Sequence, residues 1–215
     1  MIENRVYDDI EVGDSASVSH VLTREDIQLF AVMSGDVNPA HVDEEFAKED
    51  MFHAIIGHGM WSGSLISTVL GTKLPGPGTI YLEQTLAFRR PVRIGDEITA
   101  TVKVTDKEDA KHVVVLECVC ANQEGREVVT GTAKVIAPTE KIRRERTRLP
   151  SVEMREARSS SYEQMIARKG EEPPLLTAVV HPTDANSLAG AMDAARDGLI
   201  TPWLVGPEEK IRALA

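Results

Sequence analysis

The sequence predicts an α+β domain in which one apolar helix is covered by a curled antiparallel sheet. Residues 59–74 combine large apolar side chains with small Ser and Gly residues, a composition typical of a buried helix. Beyond Thr79, apolar and polar residues alternate with a period of two through four segments: 80–88, 97–105, 112–121 and 126–136. One long helix followed by four strands favours a sheet wrapped around that helix.

The elements before the long helix follow from local signals. Residues 16–22 alternate as a strand does, and Thr23 with Asp26 resembles a capping pair that opens a helix. Gly35 ends this helix. A short acidic helix is predicted near 44–48, and the Pro-Gly-Pro-Gly run at 75–78 stops the long helix.

The composition of the chain argues against several classes of binding partner. The 215 residues carry a formal net charge of −10, which argues against a nucleic-acid surface and a polybasic membrane patch. The N-terminus has no basic start followed by an apolar stretch, and no apolar run approaches the length of a membrane span. We therefore expect a cytoplasmic protein that acts on small molecules. Cys118 and Cys120 share one face of a predicted strand, where buried, reduced thiols are expected.

Charge divides the chain into three segments. Lys and Arg number 12 against 22 Asp and Glu in residues 1–138, 9 against 7 in residues 139–172, and 3 against 5 in residues 173–215. The middle segment has few large apolar residues and contains Ser159-Ser160-Ser161 and Glu171-Glu172-Pro173-Pro174. We interpret it as a charged linker or exposed helix; the alternative is that its basic run contacts an acidic partner or a nucleotide phosphate.

The residues that carry chemistry lie where the first helix ends. Asp36, Asn38 and His41 place a carboxylate, an amide and an imidazole within six residues, and Gly57 and Gly59 flank the start of the long helix. Imidazole suits proton transfer because its reference pKa of about 6.5 lies near neutral pH. Backbone N–H groups beside glycine at a helix start can stabilise a developing oxyanion. A tight turn before a buried helix explains the glycines equally simply.

These residues carry a resemblance to a family. Asp36-x-Asn38-Pro39-x-His41-x-Asp43, together with Ile56-Gly57-His58-Gly59-Met60, resembles the MaoC-like, R-specific enoyl-CoA hydratases. The resemblance covers roughly residues 5–138 and implies a hot-dog fold with an acyl-CoA substrate. It also implies a homodimer, because one hot-dog unit leaves a sheet edge unpaired.

The resemblance assigns roles. It implies that Asp36 and His41 are the catalytic pair, that Gly59 is the oxyanion residue, and that Ser67 lies near the aspartate. Asn38 is expected to position water or to hold the turn. His58 is expected at the pocket wall. The remaining candidates are three arginines near the end of a strand: Arg89, Arg90 and Arg93. They could bind the phosphates of coenzyme A or be exposed charges.

A metal site is the alternative for the same stretch. It would draw on a cluster of carboxylates and imidazoles: Asp36, His41, Asp43, Asp50, His53 and His58. We expect no metal and no separate cofactor, because conjugate addition to a thioester needs no metal when an oxyanion site is present. Coenzyme A would enter as part of the substrate.

The C-terminal segment has a different pattern. A buried strand at 175–180, a helix at 184–196 closed by Gly198 and a second strand at 203–205 predict the start of an α/β unit. His181-Pro182-Thr183-Asp184 and Leu204-Val205-Gly206-Pro207 resemble the N-terminal beginning of phosphate acetyl/butyryltransferases. Because the chain stops within a predicted helix, we expect a fragment of a two-enzyme fusion, with no acyl-transfer residue assignable.

Two other functions remain open at this point. A hot-dog thioesterase would need a carboxylate on the long helix, and residues 60–74 contain no Asp or Glu. The second alternative is a module that binds acyl-CoA without turnover, which would not need such a carboxylate.

Overall fold

A computed structural model describes residues 1–150, 152 and 173–214, and divides the chain into two compact units, Met1–Met154 and Arg155–Ala215. Most of the predicted linker, residues 151 and 153–172, lies outside the described residues. Among the residues described, no helix is both long enough and apolar enough to cross a bilayer.

The first unit is a five-stranded antiparallel sheet around one helix, as predicted. In chain order its strands are β1 Ile2–Glu3, β2 Ser15–Val21, β3 Ile80–Phe88, β4 Glu97–Glu108, β5 Val113–Ala121, β6 Glu127–Ile136 and β7 Arg143–Arg144. Its α-helices are α1 Arg24–Ser34, α2 Pro39–Val42, α3 Glu44–Glu49 and α4 Gly59–Thr72. The large sheet has the order β2-β4-β5-β6-β3, with every neighbouring pair antiparallel.

Helix α4 supplies the centre of the core. Its buried apolar side chains pack against the inward-facing residues of the sheet, among them Val102, Leu116, Ala133 and Val135. The buried apolar side chains of α4 come from one face of the helix: Trp61, Leu65, Ile66, Val69 and Leu70. Burial of each large aliphatic side chain contributes roughly 1.5–3 kcal/mol, so this face holds the sheet in its curled form. Cys118 and Cys120 are free thiols buried in the same core, as expected.

The ends of α1 confirm the predicted local signals. Thr23 and Asp26 form a complete capping box, in which each side chain binds the backbone N–H of the other residue. Gly35 ends the helix in the left-handed conformation, with φ of +77°, and donates its N–H to the Ala31 carbonyl. Glycine adopts this conformation without the Cβ penalty that other residues incur.

Three features of this unit differ from the sequence prediction. Strand β4 continues to Glu108 past a bulge between Val104 and Asp106, beyond its predicted end at 105. His112, placed at the start of a strand, instead has φ of +52° in the turn before β5. The second half of the segment 36–41, predicted as a turn, forms the short helix α2 together with Val42.

The chain leaving the sheet returns to the N-terminus. Strand β7 pairs antiparallel with β1, so the first residues of the predicted linker are paired with residues 2 and 3. Asn4, only 1% exposed, fixes this contact: its side chain donates to the Glu140 carbonyl and accepts from the Ile142 N–H. The two N-terminal residues are too few to show the alternation on which the strand predictions relied.

The second unit is a βαβ arrangement, as predicted. Parallel strands β8 Leu175–Val180 and β9 Ile200–Val205 are connected through α5 Ala185–Arg196, and a short helix α6 Glu208–Arg212 follows. Asp184 caps α5 by accepting the Ser187 N–H at 2.9 Å. Strand β9 begins at Ile200, three residues before its predicted start.

Candidate functional site

The predicted catalytic turn is held rigidly by its own side chains. Asp36 donates its N–H to Ser34 Oγ at 3.2 Å and accepts the Asn38 N–H on Oδ1 at 3.2 Å. Asn38 in turn caps α2 by accepting the Ala40 N–H at 3.1 Å, and Pro39 occupies the first helical position. These hydrogen bonds connect Asn38 to the residues on either side of it in the turn.

His41 is oriented by a backbone carbonyl. Its Nδ1 lies 2.9 Å from the Ile56 oxygen, which can only accept, so Nδ1 carries the proton. Nε2 is left with its lone pair, in the tautomer that a general base requires. His41 is half-buried on α2, a helix that places its side chain toward the loop preceding α4.

His58 connects the turn to α4. It is 3% exposed, immediately precedes Gly59 and donates from Nε2 to the Asp36 backbone oxygen at 3.0 Å. Its ring contacts the ring of His41 with 4.0 Å between centroids, and that of Phe30 with 4.9 Å. His58 thus joins residues 22 positions apart into one site.

The candidate catalytic residues Asp36 and His41 lie close together beside His58. One ligand-capable atom from each of Asp36, His41 and His58 lies within 4.8 Å of the others. The other carboxylates of the possible metal cluster are engaged elsewhere: Asp43 caps α3, and Asp50 accepts the N–H groups of Phe52 and His53.

A pocket of about 300 Å³ opens beside His41, and Asp36 is not among the residues that line it. Its walls are mainly apolar, and His41, His58 and Gly59 all line it. The remaining lining residues come from three other parts of the unit: Phe52, Ile56 and Gly57; Ser62; and Phe88, Arg89, Arg90, Pro91, Val92 and Val129. A cleft of this size and character suits an apolar ligand with a few fixed polar contacts.

Gly59 places a backbone donor at this pocket. It is the first residue of α4, a position where the N–H has no carbonyl partner within the helix. Among the described residues this N–H has no acceptor. The α4 dipole adds positive potential at this end, so the group can bind a developing negative charge.

Two arginines line the pocket and a third does not. Arg89 donates to Thr130 Oγ1 at 3.2 Å, and Arg90 donates to the Glu127 carbonyl at 2.6 Å. Arg93 lies instead beside two neighbouring clefts and donates to the Phe52 carbonyl at 2.9 Å. Ser67 is exposed on α4 and is not among the residues that line this pocket.

Sequence reasoning, which has Ile56 and Gly57 in the family motif, misses six of the lining residues: Phe52, Ser62, Phe88, Pro91, Val92 and Val129. Ser62 follows Gly59 by three residues, so helical spacing from Gly59 could have indicated it. Phe52, Phe88 and Val129 lie on a loop and on two strands far apart in the sequence, and no local pattern connects them.

The fold and the site together define a hot-dog protein with an acid/base pocket. The profile of the MaoC like domain matches residues 10–126, more than half of the chain. The chain is 48% identical over 132 residues to a Rhodospirillum rubrum protein named (R)-specific enoyl-CoA hydratase, covering 61% of this chain and 91% of that one. The chain belongs to the MaoC-like domain family.

A solved structure agrees with this assignment. R-hydratase PhaJ1 from Pseudomonas aeruginosa, in the unliganded form, superposes with a TM-score of 0.69 at 43% identity, covering 71% of this chain and 98% of that chain. A short C-terminal part is also 52% identical over 59 residues to phosphate acetyltransferase from Rhizobium meliloti. That match covers 27% of this chain and 19% of the transferase.

Proposed function

We propose that this protein is an R-specific enoyl-CoA hydratase, which adds water reversibly across the double bond of a trans-2-enoyl-CoA to give an (R)-3-hydroxyacyl-CoA. The observation that carries the proposal is the approach of Asp36 to His41, which lines a pocket together with Gly59. Hydratases named for this reaction share 48% and 43% identity with the chain.

In this proposal Asp36 and His41 carry out the proton transfers of the hydration reaction. With its proton held on Nδ1 by the Ile56 carbonyl, His41 can remove a proton from water through Nε2. The Asp36 carboxylate orients the same water. The hydroxyl group bonds to the β-carbon, and the pair delivers the proton removed from the water to the α-carbon, so the carbon–carbon double bond becomes a single bond. General acid–base catalysis of this kind contributes about 10²–10⁴-fold in rate.

Gly59 stabilises the charge that forms on the thioester oxygen. As water adds, negative charge develops on this oxygen in an enolate-like state, and the free N–H at the start of α4 donates to it. A side chain at this position would disturb the pocket wall, because a Cβ here would lie 2.8 Å from Phe88 Cε1. The donor is fixed before the substrate arrives, so no reorganisation is needed during the reaction.

The remaining candidates have supporting roles in this proposal. His58 positions Asp36 through its backbone oxygen, and Asn38 holds the turn. Arg89 and Arg90 line the pocket and offer charge to coenzyme A phosphates. Arg93 has no direct place in the pocket of a single chain, and Ser67 remains a prediction from the family.

A homodimer would cover the exposed edge of the sheet. Among the described residues, β3 pairs only with β6 and forms an edge of the sheet. It exposes apolar side chains there, with Ile80 57% and Leu82 52% accessible. An apolar edge strand of this kind is a template for pairing with a second copy. Sedimentation equilibrium tests this, since a monomer at micromolar concentration would contradict it.

The two resemblances support a bifunctional arrangement in which a hydratase is joined to a phosphate acetyltransferase. Both families use acyl thioesters of coenzyme A or their phosphate counterparts. The second unit corresponds to less than a fifth of the transferase it matches, and we assign no acyl-transfer residue to it.

The activity is tested with purified protein and crotonyl-CoA. We expect loss of the enoyl thioester absorbance, formation of the (R)-3-hydroxy product, and a sharp fall in rate for His41→Asn. His20→Gln is the matched control, because His20 is an exposed histidine that pairs with Asp26 at 3.2 Å, outside the pocket. Release of free coenzyme A without hydration would favour a thioesterase, but α4 contains no carboxylate to activate water. Acyl-CoA binding without turnover would identify a binding module.

A further inference from the structure

A second cleft shares one loop with the catalytic pocket. Phe52 and Ile56 line the catalytic pocket. The three residues between them in the sequence, His53, Ala54 and Ile55, line a separate cleft of about 400 Å³. The loop 52–56 therefore forms a wall of both cavities.

Cationic side chains gather at this second cleft. Three of them line it: Arg24, Lys48 and Arg93. Among the described residues that line the cleft, the only carboxylate is Glu44, which pairs with Arg24. The Lys48 side chain has no hydrogen-bond or ion-pair partner in the described part of the chain. Arg93 donates to the Phe52 carbonyl at 2.9 Å, but a guanidinium has five N–H donors and keeps others for a ligand. The cleft is thus positive in a chain whose net charge is −10.

The rest of the lining suits an organic ring beside the charge. Ala54, Ile55 and Ile94 add apolar surface next to the cations. A nucleotide combines the two properties that such a cleft recognises, because its base packs on apolar side chains while its phosphate accepts hydrogen bonds from Lys and Arg.

The catalytic pocket leaves the nucleotide of an acyl-CoA without a binding site. At about 300 Å³ and with mainly apolar walls, it suits the acyl and thioester end of the substrate. Its two cations, Arg89 and Arg90, already donate to Thr130 Oγ1 and to the Glu127 carbonyl. Coenzyme A also carries an adenosine with a phosphate on its ribose, joined to the thioester by a long flexible pantetheine arm.

We propose that the cleft around Lys48 and Arg93 binds the phosphorylated adenosine of the acyl-CoA substrate. This inference rests on the proposed function and names the part of the substrate that adds affinity without taking part in the chemistry. Lys48 and Arg93 donate to the phosphate, the adenine packs on Ile55 and Ile94, and the pantetheine arm passes the loop 52–56 to the catalytic pocket. Arg93, which does not line the catalytic pocket, thereby contacts the substrate.

Two substrates test the cleft: crotonyl-CoA, and crotonyl-pantetheine, which has the same thioester but no nucleotide. In Lys48→Glu we expect KM for crotonyl-CoA to rise about tenfold with little change in kcat, since one hydrogen bond between charged groups is lost. With crotonyl-pantetheine, Lys48→Glu and the wild type should have the same kcat/KM. Lys111→Glu is the matched control: it makes the same charge change at an exposed lysine in the turn before β5, outside both cavities, and should match the wild type on both substrates.

Calorimetric titration of the full 215-residue chain with adenosine 3′,5′-bisphosphate measures the cleft without turnover. We expect one molecule per chain, competition with crotonyl-CoA, and binding that weakens about tenfold in Lys48→Glu. Added salt should weaken it as well, because exposed charges are screened. If Lys48→Glu does not fold, as judged by thermal unfolding, Lys48→Gln removes the charge alone and should change KM in the same direction by a smaller factor.

The two proposals can fail separately. An unchanged KM for crotonyl-CoA in Lys48→Glu, an equal rise for both substrates, or bisphosphate that binds without competing would overturn the nucleotide cleft while the hydratase activity stands. A wild type that hydrates neither substrate, yet binds the bisphosphate through Lys48, would refute the hydratase function and support the cleft.

Discussion

Replacing Gly59 with alanine should remove most activity while preserving the fold. A Cβ at this position would lie 2.8 and 3.0 Å from Cε1 and Cδ1 of Phe88, compared with an ordinary carbon contact of about 3.5–4.0 Å. The ring must retreat by about 1 Å. Phe88 is 54% exposed, so its ring can rotate outward at small cost to stability.

The same displacement alters the pocket where the substrate is positioned. A misplacement of about 1 Å can lower the rate roughly 100-fold, so we expect kcat/KM for crotonyl-CoA to fall by about that factor. This corresponds to about 2.7 kcal/mol of lost transition-state stabilisation. The loss arises because the displaced Phe88 ring changes the wall that positions the thioester oxygen beside the Gly59 N–H.

Gly71→Ala is the matched control on the same helix. Nothing lies within 4 Å of a Cβ at Gly71, so this variant should retain full activity. Its free energy of unfolding should rise by about 0.4–1 kcal/mol, because alanine loses less backbone entropy on folding. Steady-state kinetics and urea unfolding measure both variants. Wild-type kcat/KM in Gly59→Ala, or equal losses in the two variants, would refute the reasoning.

Three further predictions concern stability. A Cβ at Gly131 would lie 1.9 Å from the Thr85 carbonyl oxygen, so Gly131→Ala should lower the free energy of unfolding in urea by at least about 1–3 kcal/mol. Asn4→Ala should cost about 1 kcal/mol in the same assay, because the part-buried Glu140 carbonyl and Ile142 N–H lose the hydrogen bonds that the Asn4 side chain makes to them. Burial raises the pKa of Cys118 to about 11 and of Cys120 to about 12, from 9.0. The stability contributed by these protonated thiols is therefore full below pH 9 and is lost as pH rises through 11 to 12. Replacing both cysteines with alanine should reduce the loss of stability at alkaline pH. In the native protein the two thiols should resist a thiol-reactive dye until urea exposes them. Rapid labelling of the native protein would contradict this prediction.

The catalytic turn was predictable because its signals are local. Gly35 ends a helix, Asn38 caps the next, and the spacing of Asp36 and His41 places both side chains on one short turn. Tertiary packing brings Asp36 and His41 to the start of α4. From the sequence, only the family motif indicated that the turn and the start of α4 belong to one site.

The remaining wall of the pocket could not be predicted, because it is assembled from distant elements. Phe88 ends β3 and Val129 lies on β6, and the register between these strands makes them partners. The contact of Asn4 with residues 140–142 likewise spans almost the whole first unit. His58 shows a different limit: its position before Gly59 was evident, whereas its hydrogen bond to the Asp36 backbone depends on the folded loop.

A double-mutant cycle on crotonyl-CoA hydration tests most directly whether Asp36 and His41 act together. Asp36→Asn keeps an oxygen for the Asn38 N–H, and His41→Asn keeps a donor for the Ile56 carbonyl, so each variant removes the proton-transfer group with little change in the turn. We expect each single variant to lose about 10²–10⁴-fold in kcat, and the double variant to lose little more than the worse single one. Losses that multiply, or single variants that retain wild-type turnover, would contradict a shared proton transfer by Asp36 and His41.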